Sequence, residues 1–130
     1  MNVLVPFTIA PVSERAVRTT LDLFGDREDV HIIAAHITTR EKTAAQIAAS
    51  EIESLGSEAD ATVEAEIKTI SKRSLSKPVI RAAIIELVET ADIDLVVLGY
   101  ESKPLFDRVL ESDTTGRLLQ SHEIPVLLVP

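Results

Sequence analysis

The sequence predicts an α/β protein built on a doubly wound, five-stranded parallel sheet. Strand-like and helix-like segments alternate along the chain, which is the order that places helices on both faces of a sheet. The central strand segments are almost continuously apolar, as strands covered on both faces must be. A chain of 130 residues with 45% hydrophobic content fits one core. We therefore expect a single domain over residues 1–130.

The predicted strands are short and rich in β-branched residues. They cover residues 2–7, 30–38, 62–70, 93–99 and 125–130. The segment Val30–Thr38 is nearly all apolar and belongs inside the sheet. In residues 62–70, by contrast, Val63, Ala65 and Ile67 alternate with charged side chains, so one face is wet and this strand lies at an edge.

The predicted helices lie between these strands, and each shows apolar residues at helical spacing. Ser13 is a suitable N-cap for the first, and Gly25 stands where a left-handed residue would end it. Gly56 closes the second helix, and Pro78 falls in the first turn of the third. A fourth helix is expected around residues 114–121.

Composition excludes several classes of function. The absence of cysteine rules out disulfides, thiolate zinc sites and cysteine nucleophiles. A net charge of -8 and a pI near 4.8 disfavour nucleic acid and anionic membranes as partners. No apolar run approaches the roughly 20 residues needed to cross a bilayer, so we expect a cytoplasmic protein. The acidic surface serves solubility, and an origin in a high-salt cytoplasm remains an alternative.

The histidines do not form a predicted metal site. His31 and His36 are five residues apart on one strand and so face opposite sides of the sheet, while His122 lies in a turn. No serine can be linked to a histidine and an acid by spacing, so the sequence indicates no hydrolytic triad. We expect neither catalysis nor a cofactor.

The loop after Gly99 stands where α/β proteins often place a glycine-rich phosphate loop. Here only that glycine remains, and the segment Tyr100–Pro104 follows it. Asp113 is expected to act as the N-cap of the last predicted helix, which is a structural and not a binding role.

Two other segments suggest contacts with partners. Basic residues cluster between positions 68 and 81, and Lys72, Arg73 and Lys77 could hold a small anion or an acidic partner. The alternative is a solvated loop whose lysines neutralise nearby glutamates. The apolar run Val126, Leu127, Leu128 and Val129 would form an exposed edge strand and pair with a second copy.

Three segments resemble the universal stress protein family over essentially the whole chain. The first strand and the Ser13-Glu14-Arg15-Ala16 that follows it are similar to the family's opening. Ala35-His36-Ile37 resembles the Leu-His-Val that ends the family's second strand, and residues 94–129 align without a gap. The resemblance implies an adenine nucleotide α-hydrolase-like fold with strand order 3-2-1-4-5. It also implies a homodimer formed through the last strand.

The family divides into members that bind ATP and members that do not, and the binding pattern is Gly-x2-Gly-x9-Gly-Ser/Thr. Carried over, the pattern falls on Gly99, Ser102, Ser112 and Asp113, and only the first position matches. The acidic residue that binders place after the first strand falls on Thr8. If a nucleotide does bind, the residues expected to hold it are Pro6, Thr8, Ala35, Gly99, Ser102, Ser112 and Asp113.

The expected function is therefore a non-catalytic stress-response dimer that acts through contacts with other proteins and has lost ATP binding. The alternative is a nucleotide sensor for ATP or AMP that uses a degenerate phosphate loop.

Overall fold

The computed structural model describes residues 1–7, 12–38, 42–70, 77–99 and 124–129. Five strands and three helices fall within these ranges. The strands are β1 (Asn2–Phe7), β2 (His31–Thr38), β3 (Thr62–Thr69), β4 (Leu95–Gly99) and β5 (Val126–Val129). The helices are α1 (Val12–Phe24), α2 (Lys42–Gly56) and α3 (Lys77–Thr90). The helix predicted around residues 114–121 lies outside the described residues.

All five strands form one parallel sheet in the order β3-β2-β1-β4-β5. The predicted fold class, strand order and edge position of β3 are confirmed. The first half of β3 alternates as predicted, since Glu64 is exposed while Val63 and Ala65 pack on the core. The second half does not: Ile67, expected on the apolar face, is exposed, and Lys68 is half-buried beside Glu86.

Each face of the sheet carries its own core. Residues that pair in register in a parallel sheet point to the same face, so alternate positions of β1 and β4 separate into two apolar clusters. The cluster under α1 and α2 includes Val3, Val5, Val17, Ile52 and Val97. The cluster under α3 includes Leu4, Ile33, Ile84, Leu87 and Leu98. No helix in the described ranges is both long enough and apolar enough to span a membrane.

The two ends of α1 differ from the sequence prediction. The helix begins at Val12, so Ser13 stands in its first turn rather than at the cap. Gly25 is not left-handed, since no glycine in the described ranges has a positive φ. Glycine is required there by close approach, because a Cβ would lie 2.4 Å from the carbonyl oxygen of Leu21. That oxygen already accepts the Gly25 N–H at 2.7 Å.

Unlike α1, helix α3 is followed by a residue in the left-handed conformation. This residue is Asp92, with φ of 51°. The N–H of the next residue, Ile93, donates to the carbonyl of Val88 at 3.4 Å, and both side chains belong to the buried cluster under α3. This is the hydrogen bond and apolar contact of a Schellman helix end, where glycine is usual.

Replacing Asp92 with glycine is expected to raise the free energy of unfolding by about 1 kcal/mol, because it relieves the left-handed strain and removes a carboxylate from a helix C-terminus. Urea unfolding monitored by circular dichroism measures the change. The matched variant Asp92→Asn removes only the charge and should gain less. Equal stability of all three proteins would contradict the assignment of strain to this position.

Hydrogen bonds from the turn that follows α3 hold the amino ends of β1 and β4 together. The Asn2 N–H donates to Asp94 Oδ2 at 2.7 Å, and the Asp94 N–H donates to the Asn2 carbonyl at 2.8 Å. The Asn2 side-chain amide donates to the carbonyls of Ala91 at 2.9 Å and Asp92 at 3.2 Å. Asn2 therefore joins the start of the chain to the end of α3.

Candidate functional site at the switch point

The candidate site is the carboxyl edge of the sheet where β1 and β4 lie side by side. The chain passes from β1 to β2 in one direction and from β4 to β5 in the other, so the winding reverses between β1 and β4. Doubly wound sheets bind ligands at this point. Phe7 ends β1, Thr38 ends β2 and Gly99 ends β4, which brings three strand ends to one edge.

Three of the predicted binding residues lie at this edge. Pro6 is buried and pairs in register with Ala35, which has no exposed surface. Gly99 ends β4 and pairs with Val129 of β5. The other four predicted binding residues, Thr8, Ser102, Ser112 and Asp113, lie outside the described residues.

His36 is the buried polar side chain beside these strand ends, with 6% of its surface exposed. It stands in register between Phe7 of β1 and Ile67 of β3. The sequence predicted His36 as a polar group near a strand end. It did not predict that the strands on both sides of β2 would bury this side chain almost completely. His31 is on the opposite face, where its Nε2 lies 2.9 Å from Glu64 Oε2.

No metal site is found in the part of the chain that the structure describes, where no three His, Asp or Glu side chains come together suitably. A cleft of about 470 Å³ lies at the opposite, amino-terminal end of β4. Its lining includes Glu89, Asp92 and Asp94, whose negative charge is unsuited to an anionic ligand.

Arg27 and Asp29 form an ion pair away from the switch point. In the turn before β2, Arg27 donates to the Asp29 carboxylate at 2.7 and 3.1 Å. This hydrogen bond lowers the pKa of the Asp29 carboxyl and raises the pKa of Arg27. Because the depressed carboxyl pKa favours the folded state only while Asp29 is ionised, that contribution is lost on acidification.

Only part of the predicted basic patch lies in the described residues. Lys72 and Arg73 lie outside the described residues, and Lys77 begins α3. Lys68, which precedes them on β3, forms an ion pair with Glu86 of α3 at 2.5 Å. This contact agrees with the alternative in which basic residues here neutralise nearby glutamates.

The last strand, β5, ends the order of the sheet. Val96 of β4 donates its N–H to the carbonyl of Pro125 at 3.1 Å. Since successive residues of a strand direct their backbone groups to alternate sides, Pro125, Leu127 and Val129 face β4. The N–H and C=O groups of Val126 and Leu128 therefore point away from β4, toward the edge.

The whole chain, residues 1–130, matches the sequence model of the Universal stress protein family. The chain belongs to the universal stress protein family. The resemblance expected from the sequence is thus confirmed over its full extent. A comparison with curated proteins gives no significant match.

Solved universal stress proteins share the fold. The protein from Archaeoglobus fulgidus in complex with dAMP is 16% identical, with a TM-score of 0.67 and coverage of 100% of this chain and 98% of that one. UspA from Lactobacillus plantarum is also 16% identical, with a TM-score of 0.68 and coverage of 100% and 97%. A universal stress protein in complex with cAMP is 20% identical, with a TM-score of 0.64 and coverage of 99% and 95%.

Proposed function

We propose that this universal stress protein is a cytoplasmic, non-catalytic homodimer that acts through contacts with other proteins and has lost ATP binding. The observation that carries the proposal is the loop after Gly99. Of the four positions of the ATP-binding pattern, Ser102, Ser112 and Asp113 depart from it, and Thr8 replaces the acidic residue after β1.

These departures act through geometry and charge. Glycines let a backbone approach phosphates closely and adopt positive φ, and serine does so less readily. Glu101, Glu111 and Asp113 add three carboxylates to a segment that would have to meet a triphosphate. Each like-charge pair at about 4 Å costs about 4 kcal/mol near a protein surface. Lys103 and Arg108 offset part of this repulsion.

The edge strand β5 supports the dimer. The outward N–H and C=O groups of Val126 and Leu128 provide the hydrogen-bonding row that a second copy would complete about a twofold axis.

A second candidate is binding of an adenosine monophosphate. Two universal stress proteins of the same fold are complexes with dAMP and cAMP. A monophosphate carries fewer charges than ATP, so it depends less on the altered loop. The strand ends at Pro6, Ala35 and Gly99 would then receive the nucleoside.

A thermal-shift titration tests both candidates. With Mg-ATP we expect no change in Tm, whereas a ligand at 100 times its Kd would add about 2.7 kcal/mol of stability. The matched variant Ser102→Gly/Ser112→Gly/Asp113→Ser restores the family's ATP pattern and is expected to gain a shift with Mg-ATP.

The titration has two further outcomes. A shift of the unaltered protein with Mg-ATP would contradict the loss of ATP binding. A shift with AMP or cAMP alone would instead favour the second candidate. An assay for phosphate release from ATP, expected to show none, tests the non-catalytic role.

A further inference from the structure

A second cleft lies at the amino edge of the sheet, on the opposite side from the switch point. It has a volume of about 320 Å³ and lies where α1 and α2 end, before β2 and β3 begin. Leu21 of α1 and Leu55 of α2 are half-buried and form an apolar wall, with Ala59 and the backbone of Gly25 beside them. This volume is at the small end of the range for ligand pockets, so the cleft suits a single side chain better than a large cofactor.

Four carboxylates surround this apolar wall and form an acidic rim. They come from the last turn of α1 and from the loops that precede β2 and β3, and all four residues are exposed. The rim consists of Asp22, Asp26, Glu58 and Asp60. Among the described residues that line the cleft, none is basic. The cleft therefore combines apolar surface with negative charge, which is complementary to a cation that carries an apolar stem.

The two helices that end at the cleft add to its negative potential. A helix carries roughly half a negative charge at its C-terminus, where basic side chains are stabilising. Neither α1 nor α2 has a basic residue in its last turn. Arg27 follows Asp26 in the loop before β2, but it donates to the Asp29 carboxylate at 2.7 and 3.1 Å. A positive group supplied from outside the chain would therefore be attracted to the rim.

Backbone hydrogen bonds hold the two sides of the cleft in place. The Gly25 carbonyl, directly after α1, accepts the N–H groups of Asp60 at 2.8 Å and Ala61 at 3.0 Å. The Ala59 N–H donates to the Gly56 carbonyl at 3.1 Å in the turn after α2. These bonds join the end of α1 to the entry of β3 and use no carboxylate of the rim. Because the cleft is preformed, a ligand would lose little free energy in ordering it.

We propose that this cleft binds an arginine side chain of a partner protein. The inference names the chemistry of one protein contact, and so it rests on the proposed action through other proteins. The aliphatic part of the arginine would lie on Leu21 and Leu55, and its guanidinium group would reach the rim. Arginine fits better than lysine, because its planar group forms paired hydrogen bonds with carboxylates and is more weakly hydrated.

Titration of the isotope-labelled protein with N-acetyl-Ala-Arg-Ala amide, followed by amide chemical shifts, tests the proposal. We expect saturable shifts concentrated at residues 21–26 and 55–61. The same peptide with citrulline in place of arginine keeps the shape of the side chain and removes its charge. We expect the citrulline peptide to bind at least about 10-fold more weakly.

Two double variants separate the cleft from the general acidity of the chain. Asp22→Asn/Glu58→Gln removes two charges of the rim, and we expect it to weaken binding of the arginine peptide about 10-fold. Glu51→Gln/Glu53→Gln is the matched control, because it removes two exposed charges of α2 that do not line the cleft. We expect the control to change the affinity by less than about twofold. Circular dichroism checks that both variants are folded.

Three results would overturn the proposal. One is equal weakening by the two double variants, which would mean that net charge alone attracts the peptide. Another is the absence of saturable shifts in the cleft, or equal binding of the citrulline peptide. The third is the same set of shifts with calcium chloride alone at lower concentration, which would make the cleft a metal site. The Mg-ATP titration and the dimer mass report on other parts of the molecule, so failure here is distinguishable from failure of the proposed function.

Discussion

Replacing Leu128 with proline is expected to convert the proposed β5-paired dimer into a folded monomer, with a dimer Kd raised by about 100-fold or more. The N–H of Leu128 points to the open edge, so its loss removes no bond within the chain. Twofold symmetry removes it from both copies, and each hydrogen bond contributes about 0.5–1.5 kcal/mol. The proline ring also obstructs the approach of a second strand.

Leu127→Pro is the control at the neighbouring position. Its N–H faces β4, where the register directs it to the carbonyl of Val96. This variant should therefore lose stability in a thermal melt, which Leu128→Pro should largely retain. Sedimentation velocity at micromolar protein, in low and in molar salt, measures the mass. A persistent dimer of folded Leu128→Pro, or a monomeric unaltered protein, would contradict pairing through β5.

Replacing Gly25 with alanine is expected to lower the free energy of unfolding by about 3 kcal/mol, at the upper end of the usual cost of overpacking. The added Cβ would lie 2.4 Å from the Leu21 carbonyl oxygen, and backbone cannot rotate away as a side chain can. The Gly25 carbonyl also accepts the N–H groups of Asp60 at 2.8 Å and Ala61 at 3.0 Å. A shift of this residue would disturb the end of α1 and the entry to β3 together.

Gly56 provides a contrasting case, because its added Cβ would meet the side chain of Val63 at 2.5–2.8 Å. We expect Gly56→Ala to cost about 2 kcal/mol alone and to be rescued in part by Val63→Ala, with a coupling of about 1 kcal/mol. Truncating Leu21 to alanine should give Gly25→Ala no such rescue. Urea unfolding of the two double-mutant cycles measures both couplings, and equal rescue would show that the Gly25 contact is not with backbone.

The interior place of β2 and the edge place of β3 follow from patterns in the sequence, whereas the full strand order was implied by the family resemblance. An apolar β2 and an alternating β3 differ because one is covered on both faces and the other has a wet face. The amino acid at a helix end is less informative. Glycine at position 25 suits a left-handed turn and a close backbone contact equally well, and only the position of Leu21 distinguishes them. The left-handed conformation at Asp92 gave no signal, because aspartate is common in many turns.

The places of some candidate residues were predicted, whereas their role in binding stays a prediction. Pro6, Ala35 and Gly99 lie in the strands to which the sequence assigned them. The near-complete burial of His36 was not predicted, since it depends on the two strands that flank β2.

The contrast between the two edge strands has a consequence for the size of any assembly. The β5 edge is apolar, whereas β3 carries Glu64 and Lys68, which pair with His31 and Glu86 of their own chain. Two copies joined through β5 would present only β3 edges to further copies. Charged edge strands resist such addition. Strand pairing would then end at the dimer. Its continuous ten-stranded sheet would be the largest sheet formed in this way.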